Sequence, residues 1–238
     1  MSSSNIKPLL GILNPRELPA FQESINNIKN IDKVFIKYFT PEADAYYSLR
    51  LFFLHHFQFS HLILCPDDVL FTEKEIQTLI DDIGKFNPPV ITGFSNINLT
   101  DQINDVTLSL YPEPMERAAR QYQLLTKQDL AKMPRYFQVK WQGFSLTTIR
   151  RDIVERIEFD DDAKWNGQPY GAGCCLDSTF SYNCNIRGIP IICDQQVQIL
   201  HLREGRGSLM TNFYAGIRPR QIVWEREGKE TKWLISKL

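Results

Sequence analysis

Strand-like and helix-like segments alternate through the first hundred residues, and this most restricts the folds open to the chain. Pro8-Leu9-Leu10-Gly11-Ile12-Leu13 reads as a buried strand stopped by Asn14-Pro15. Leu18, Phe21, Ile25 and Ile28 then recur at helical spacing. Lys33 to Phe39 is rich in strand formers. Thr40 reads as an N-cap before Pro41, and a helix continues toward Phe57. His61 to Cys65 is the next buried strand. Thr72-Glu73-Lys74-Glu75 fits a capping box, followed by Ile76, Leu79, Ile80 and Ile83 on one helical face. Pro89 to Gly93 closes the series as a short strand. Four β and three α segments in alternation predict a parallel sheet covered by helices on both faces.

The second half alternates less regularly. Val106 to Leu110 and Tyr136 to Trp141 read as strands around a charged helix near Glu113 to Leu125. Thr148 to Ile157 and Leu176 to Ile186 read as helices. Ile189 to Cys193 and Val197 to Leu202 read as extended. The segment after Arg203 mixes charge with Tyr214, Trp224 and Trp233, and is read as a lid, an acceptor-side segment or packing. The whole is expected to be one domain over 1–238. Residues 1–100 would form a nucleotide-binding half, 101–203 an acceptor-binding half, and 204–238 a tail or lid.

Composition narrows the function classes. A formal net charge of −1 gives no general attraction to nucleic acid or anionic membrane. Arg and Lys in the tail alternate with Glu, which dilutes any phosphate-binding stripe. No run approaches the ~18 apolar residues of a membrane span, and the expected location is cytoplasmic, with membrane association through an acceptor left open. Five cysteines without CxxC spacing read as free thiols rather than a disulfide or zinc framework.

The chemistry is sought where strands end, because open α/β sheets bind ligands beyond their carboxyl ends. In "HLILCPDDVLFTEKE", Asp67 and Asp68 follow the apolar run His61 to Cys65 directly. Adjacent residues on extended backbone point to opposite sides, so one of the two faces the cleft. A hard divalent cation would favour its carboxylate oxygens and bring in substrate phosphates. An ordinary Pro66-Asp67-Asp68 turn is the alternative reading.

The segment "LILCPDDVLFT" resembles the strand–Asp–x–Asp–Val–Leu segment of GT-A fold glycosyltransferases, close to the family-2-like group. Pro66 stands where that motif has its first Asp. Three further stretches resemble family segments in the same order. They are "GFSLTTIRRDIVERIEF", "GQPYGAGCCLDSTFSYNCNIRG" and "GIPIICDQQVQILHL". The resemblance covers about residues 8 to 203 and implies an α/β, GT-A (Rossmann-like) fold, with a mixed, mainly parallel central sheet and helices on both faces. It implies Asp68 and His201 as ligands of Mn²⁺ or Mg²⁺, and Asp177 as the general base of an inverting transfer. Asn14, Arg16, Asp67, Gly171, Gly173 and Arg203 would contact a UDP- or GDP-linked sugar donor, with Arg206 as a further basic residue near the diphosphate. The acceptor would be a glycan, a lipid-linked molecule or a protein. The QxxRW motif of processive synthases is absent.

Other readings compete. Pro66 in the aspartate motif fits a decayed glycan- or nucleotide-binding protein. A sugar-1-phosphate nucleotidyltransferase would share the layered plan. Such enzymes carry a glycine-rich basic loop after the first strand, where this chain has Asn14-Pro15-Arg16-Glu17. Asp177 as an N-cap and His201 as a core histidine are the structural alternatives.

Overall fold

The structure, a computed structural model, describes residues 6–14, 18–37, 42–96, 105–110, 124–158, 176–202, 221–226 and 228–233. The alternating first half has the expected order of four strands and three helices, with one unexpected two-residue strand, β4, added. It runs β1 (Pro8–Asn14), α1 (Pro19–Asn26), β2 (Asp32–Lys37), α2 (Glu42–His55), β3 (His61–Pro66), β4 (Val69–Leu70), α3 (Glu73–Phe86) and β5 (Val90–Ser95). The start of α3 shows why the chain breaks there. Thr72 accepts a hydrogen bond from Lys74 N, and Glu75 Oε2 accepts from Thr72 N at 2.8 Å. The helix then stops at Asn87, which adopts the left-handed conformation that asparagine tolerates, ahead of Pro88 and Pro89.

The second half contributes β6 (Asp105–Ser109), β7 (Leu124–Thr126), α4 (Lys127–Leu130), β8 (Tyr136–Val139), β9 (Trp141–Gln142) and β10 (Thr147–Arg150). These are followed by α5 (Arg151–Arg156), α6 (Leu176–Ile186), β11 (Ile191–His201), β12 (Gln221–Arg226) and β13 (Lys229–Trp233). Ten strands make one sheet in the order β13-β12-β2-β1-β3-β10-β5-β11-β4, with β8 also on β11; β7, β6 and β9 form a second, three-stranded sheet.

Helices cover both faces of the large sheet. Along β1, Leu9 and Leu13 face a core shared with α2, α5 and α6, whereas Leu10 and Ile12 face one shared with α1 and α3. This is the strict alternation of strand side chains. The mainly parallel sheet expected from the sequence is corrected. Three strand pairings of the large sheet are parallel (β1–β2, β1–β3, β5–β11) and the other six are antiparallel. The antiparallel contribution comes from the second half. β10 inserts between β3 and β5, and the β12–β13 hairpin adds itself beside β2.

Three further expectations change. Thr148 to Ile157 is not one helix: Thr147-Thr148-Ile149 is β-branched and pairs as β10 before α5 begins. Leu124 and Leu125, placed at the end of a charged helix, lie in β7. The stretch split into Ile189–Cys193 and Val197–Leu202 forms a single strand, β11, whose register against β5 shifts between Cys193 and Gln198. The rest of the expected 113–125 helix, together with Thr40 and Pro41, lies outside the described residues.

Candidate functional site

The strands β1, β2, β3, β5 and β11, which run in one direction, all end on the same edge of the sheet. Register fixes this. Asn14 is level with Lys37, Leu13 with Pro66, and Ser95 with Ile199. The carboxylates after β3 therefore lie at the carboxyl edge, where ligands are taken in open α/β sheets.

Two residues far apart in the chain meet there. The short strand β4 pairs antiparallel with the end of β11, Val69 against His201 and Leu70 against Leu200. Leu202 N also donates to Asp68 O. This pairing brings His201 Nε2 to 3.7 Å from Asp68 Oδ2, both side chains being about one-fifth exposed. Asp67, its neighbour, is 1% exposed. Of the two adjacent carboxylates, Asp68 is thus the one at the surface. The edge is electronegative: the buried Cys65 thiol is pushed up by burial and further by the charges of Asp67 and Asp68.

Asp177 lies in the first turn of α6, inside the helix rather than capping one that begins at Ser178. Its Oδ1 accepts from Ser178 N at 2.8 Å, which orients the carboxylate. Its Oδ2 lies over Gly143, 3.4 Å from where a Cβ on that glycine would stand. α6 is fixed to the second sheet by Trp141 Nε1 donating to Ser178 Oγ at 2.9 Å. Beneath Gly143 is a buried group of hydroxyls that the sequence did not single out. Ser145 Oγ donates to Gly143 O and lies within 3.2 Å of Ser95 Oγ and 3.0 Å of Thr107 Oγ1. Ser95 is level with Ile199, two residues before His201. This chain of contacts places Asp177 at the same sheet edge as Asp68 and His201.

The remaining expected site residues contribute less geometry. Asn14 ends β1 at that edge, and Arg16, Gly171, Gly173, Arg203 and Arg206 lie outside the described residues. Among the described residues no three His, Cys, Asp or Glu side chains group as a metal site, so Asp68 and His201 form a pair of ligands at most. That pair suits a cation in part. With bonds of about 2.1 Å, neighbouring ligands of an octahedral ion stand about 3 Å apart. Closing from 3.7 Å takes a rotamer adjustment, and phosphate oxygens of a bound substrate would fill other positions.

The other histidines serve structure. His55 and His56 place Nδ1 against the Leu51 and Phe52 carbonyls, and His61 is 3% exposed. Cys65, Cys184 and Cys193 are buried free thiols. A separate cavity of about 520 Å³, lined by Phe57, Phe59, Ser60, Arg150 and Arg151 among others, opens at the opposite end of β3. No helix among the described residues is long and apolar enough to cross a membrane.

No known protein family and no curated protein matches the chain. Among solved structures, A197 from STIV superposes with a TM-score of 0.53 at 16% identity, over 84% of this chain and 88% of that one. The inositol-1-phosphate CTP transferase from T. maritima superposes with a TM-score of 0.46 at 7% identity, over 91% and 100%. The first likeness shows a shared fold, and the second is too remote to carry an argument. The chain is a mixed α/β protein with a large mixed sheet whose carboxyl edge brings His201 to Asp68.

Proposed function

We propose that this chain is a GT-A type glycosyltransferase of the family-2-like group, moving a sugar from a UDP- or GDP-linked donor to an acceptor hydroxyl. The observation that supports this most is the 3.7 Å approach of His201 to Asp68 at the carboxyl edge of the sheet. In this reading Asp68 and His201 hold Mn²⁺ or Mg²⁺. When bound, the cation supplies Lewis-acid stabilisation to the departing diphosphate. Imidazole as one of two protein ligands favours Mn²⁺.

Asp177 accepts the proton of the acceptor hydroxyl as the new glycosidic bond forms. Ser178 N fixes one oxygen of its carboxylate, and glycine at 143 keeps a side chain off the other. One displacement with one base inverts the anomeric carbon. Base help of this kind is worth about 10²–10⁴ in rate. A panel of UDP- and GDP-sugars with Mn²⁺ tests the reading by release of free nucleotide. Asp68→Asn and Asp177→Asn should remove turnover while the fold, followed by circular dichroism, stays. Full activity in both variants, or no donor consumed by the parent chain, rejects it.

A second reading keeps the fold and loses the chemistry. Pro66 in the aspartate motif and the burial of Asp67 favour it, since they leave one surface carboxylate at the strand end. Calorimetry with UDP and GDP separates the two: binding without turnover of any donor selects the decayed protein.

A further inference from the structure

A second group of ionisable residues lies where α3, β8 and β11 meet. Asp82 on α3 is 2% exposed and Asp194 on β11 is 0% exposed, and both carboxyl groups lie beside the Arg135 guanidinium. One guanidinium serves both. Arg135 donates from Nε to Asp194 Oδ1 at 3.0 Å and from Nη2 to Asp194 Oδ2 at 2.9 Å, while Nη2 stays 3.6 Å from Asp82 Oδ1. Tyr136 Oη donates to Asp82 Oδ1 at 2.8 Å. Among the described residues no N–H or O–H reaches the buried Asp82 Oδ2.

Two carboxylates facing one guanidinium leave an excess negative charge in a buried place. The buried Asp82 Oδ2 also has no donor to accept from, and becomes a donor itself only when protonated. A proton on Asp82 meets both requirements. Asp81 and Lys85, the other charges on this stretch of α3, are engaged elsewhere: Asp81 accepts from Gln77 and Lys85 lies over Phe86. The Cys193 thiol beside Asp194 is pushed up by burial and stays neutral.

The group also shapes β11. Asp194 Oδ1 accepts from Gln196 N at 3.0 Å, and Gln195 is tied to the β8 side through Arg135 O, Met133 O and Pro134 O. The register against β5 shifts at this point, and beyond it the strand runs on to deliver His201 to Asp68. We propose that Asp82 and Asp194 share one proton as an acid pair that clamps α3 onto the break in β11, and that losing this proton loosens the strand segment carrying His201. The clamp stands by itself, whereas its consequence for catalysis rests on the function proposed above.

The electrostatics agree. Burial, followed by contact with Asp194, holds Asp82 up at about 6 against the opposing hydrogen bond from Tyr136. Burial alone would raise Asp194 as well, but Arg135 and Gln196 N hold it below the ordinary range. A carboxyl raised on folding stabilises fully below its unfolded value near ~3.9, and that stabilisation is lost as pH rises through about 6.

The test uses the full chain labelled with ¹³C at aspartate carboxyls, with Asp82→Asn assigning the signal. The Asp82 carboxyl should titrate at about 6. The side-chain amide introduced by Asp82→Asn can donate permanently to Asp194, so the parent's melting temperature should fall relative to the variant from about pH 4 and level off just above about 6. An Asp82 carboxyl titrating near ~4 overturns the shared proton, and so does a melting difference that does not vary with pH. If the variant fails to fold, through-bond assignment identifies the Asp82 carboxyl and the parent's titration decides. Hydrogen-exchange protection of Gln198 to Leu200 should drop as pH rises through about 6 in the parent and not in the variant. Equal behaviour in both overturns the link to His201. None of these readouts uses metal or donor, so failure of the glycosyltransferase reading would show separately.

Discussion

Replacing Gly93 by alanine tests how β11 is seated on β5, and hence how His201 reaches the site. A Cβ at position 93 would stand 2.5 Å from Val197 Cγ1 and 3.0 Å from Val197 Cβ, and it would overlap the Val197 carbonyl oxygen. A methyl group can turn away, but a carbonyl in the broken segment of β11 moves only with its backbone. Inserting a carbon into a packed interior costs about 1–3 kcal/mol, and backbone displacement puts this case in the upper part of that range. Alanine recovers roughly 0.5–1 kcal/mol by restricting the unfolded chain. The expected net loss is about 1–2 kcal/mol. Urea unfolding should show a lower midpoint with the same slope, since the area exposed on unfolding hardly changes. Stability within about 0.5 kcal/mol of the parent would mean that β11 does not press on β5 as described.

Three further perturbations probe other parts. Arg151 donates to the Phe53, His56 and Phe59 carbonyls and so closes the end of α2; Arg151→Ala should cost about 2–4 kcal/mol in urea unfolding, discounted for its partial exposure. Ile222 is 1% exposed on β12, and Ile222→Ala should cost about 2–4 kcal/mol if the C-terminal hairpin is an integral strand pair, against almost nothing if it is a detachable lid. His61 is held down to about 4, chiefly by burial, so the folded chain prefers it neutral. Its contribution is complete above the unfolded value near ~6.5 and is lost as pH falls toward about 4, a change of roughly 3 kcal/mol that His61→Phe should remove from the pH profile of the melting temperature. This dependence runs opposite to that of Asp82, so each shows only by comparison with its own variant.

The parts legible in the sequence are those written locally. The capping box at Thr72, the apolar run ending at Asp67 and the helical spacing after Glu73 are each contained in one short window, and the structure places each as expected. Local windows failed where two local signals conflict. In Thr147 to Arg156, Ile149, Ile153 and Val154 keep helical spacing, while Thr147-Thr148-Ile149 favours a strand; pairing with β3 and β5 decides for the strand. The hairpin of β12 and β13 carries only one local signal, a glycine at 228 with φ +74° between its two strands, neither of which alternates. Its charges concealed it: Lys33, 4% exposed on β2, pairs with Glu225 of β12 at 2.9 Å, so a residue expected at the surface belongs to the sheet. The Asp82–Asp194–Arg135 group had no local signal, because its members come from three parts of the chain that meet only once it is folded.

Manganese binding in the presence of UDP or GDP, followed by electron paramagnetic resonance of the free ion, tests the central claim most directly. The account predicts one nucleotide-dependent Mn²⁺ site in the parent chain that disappears in both Asp68→Asn and His201→Ala, with each variant still folded. Undiminished binding in both variants, or no bound Mn²⁺ with either nucleotide, would contradict it.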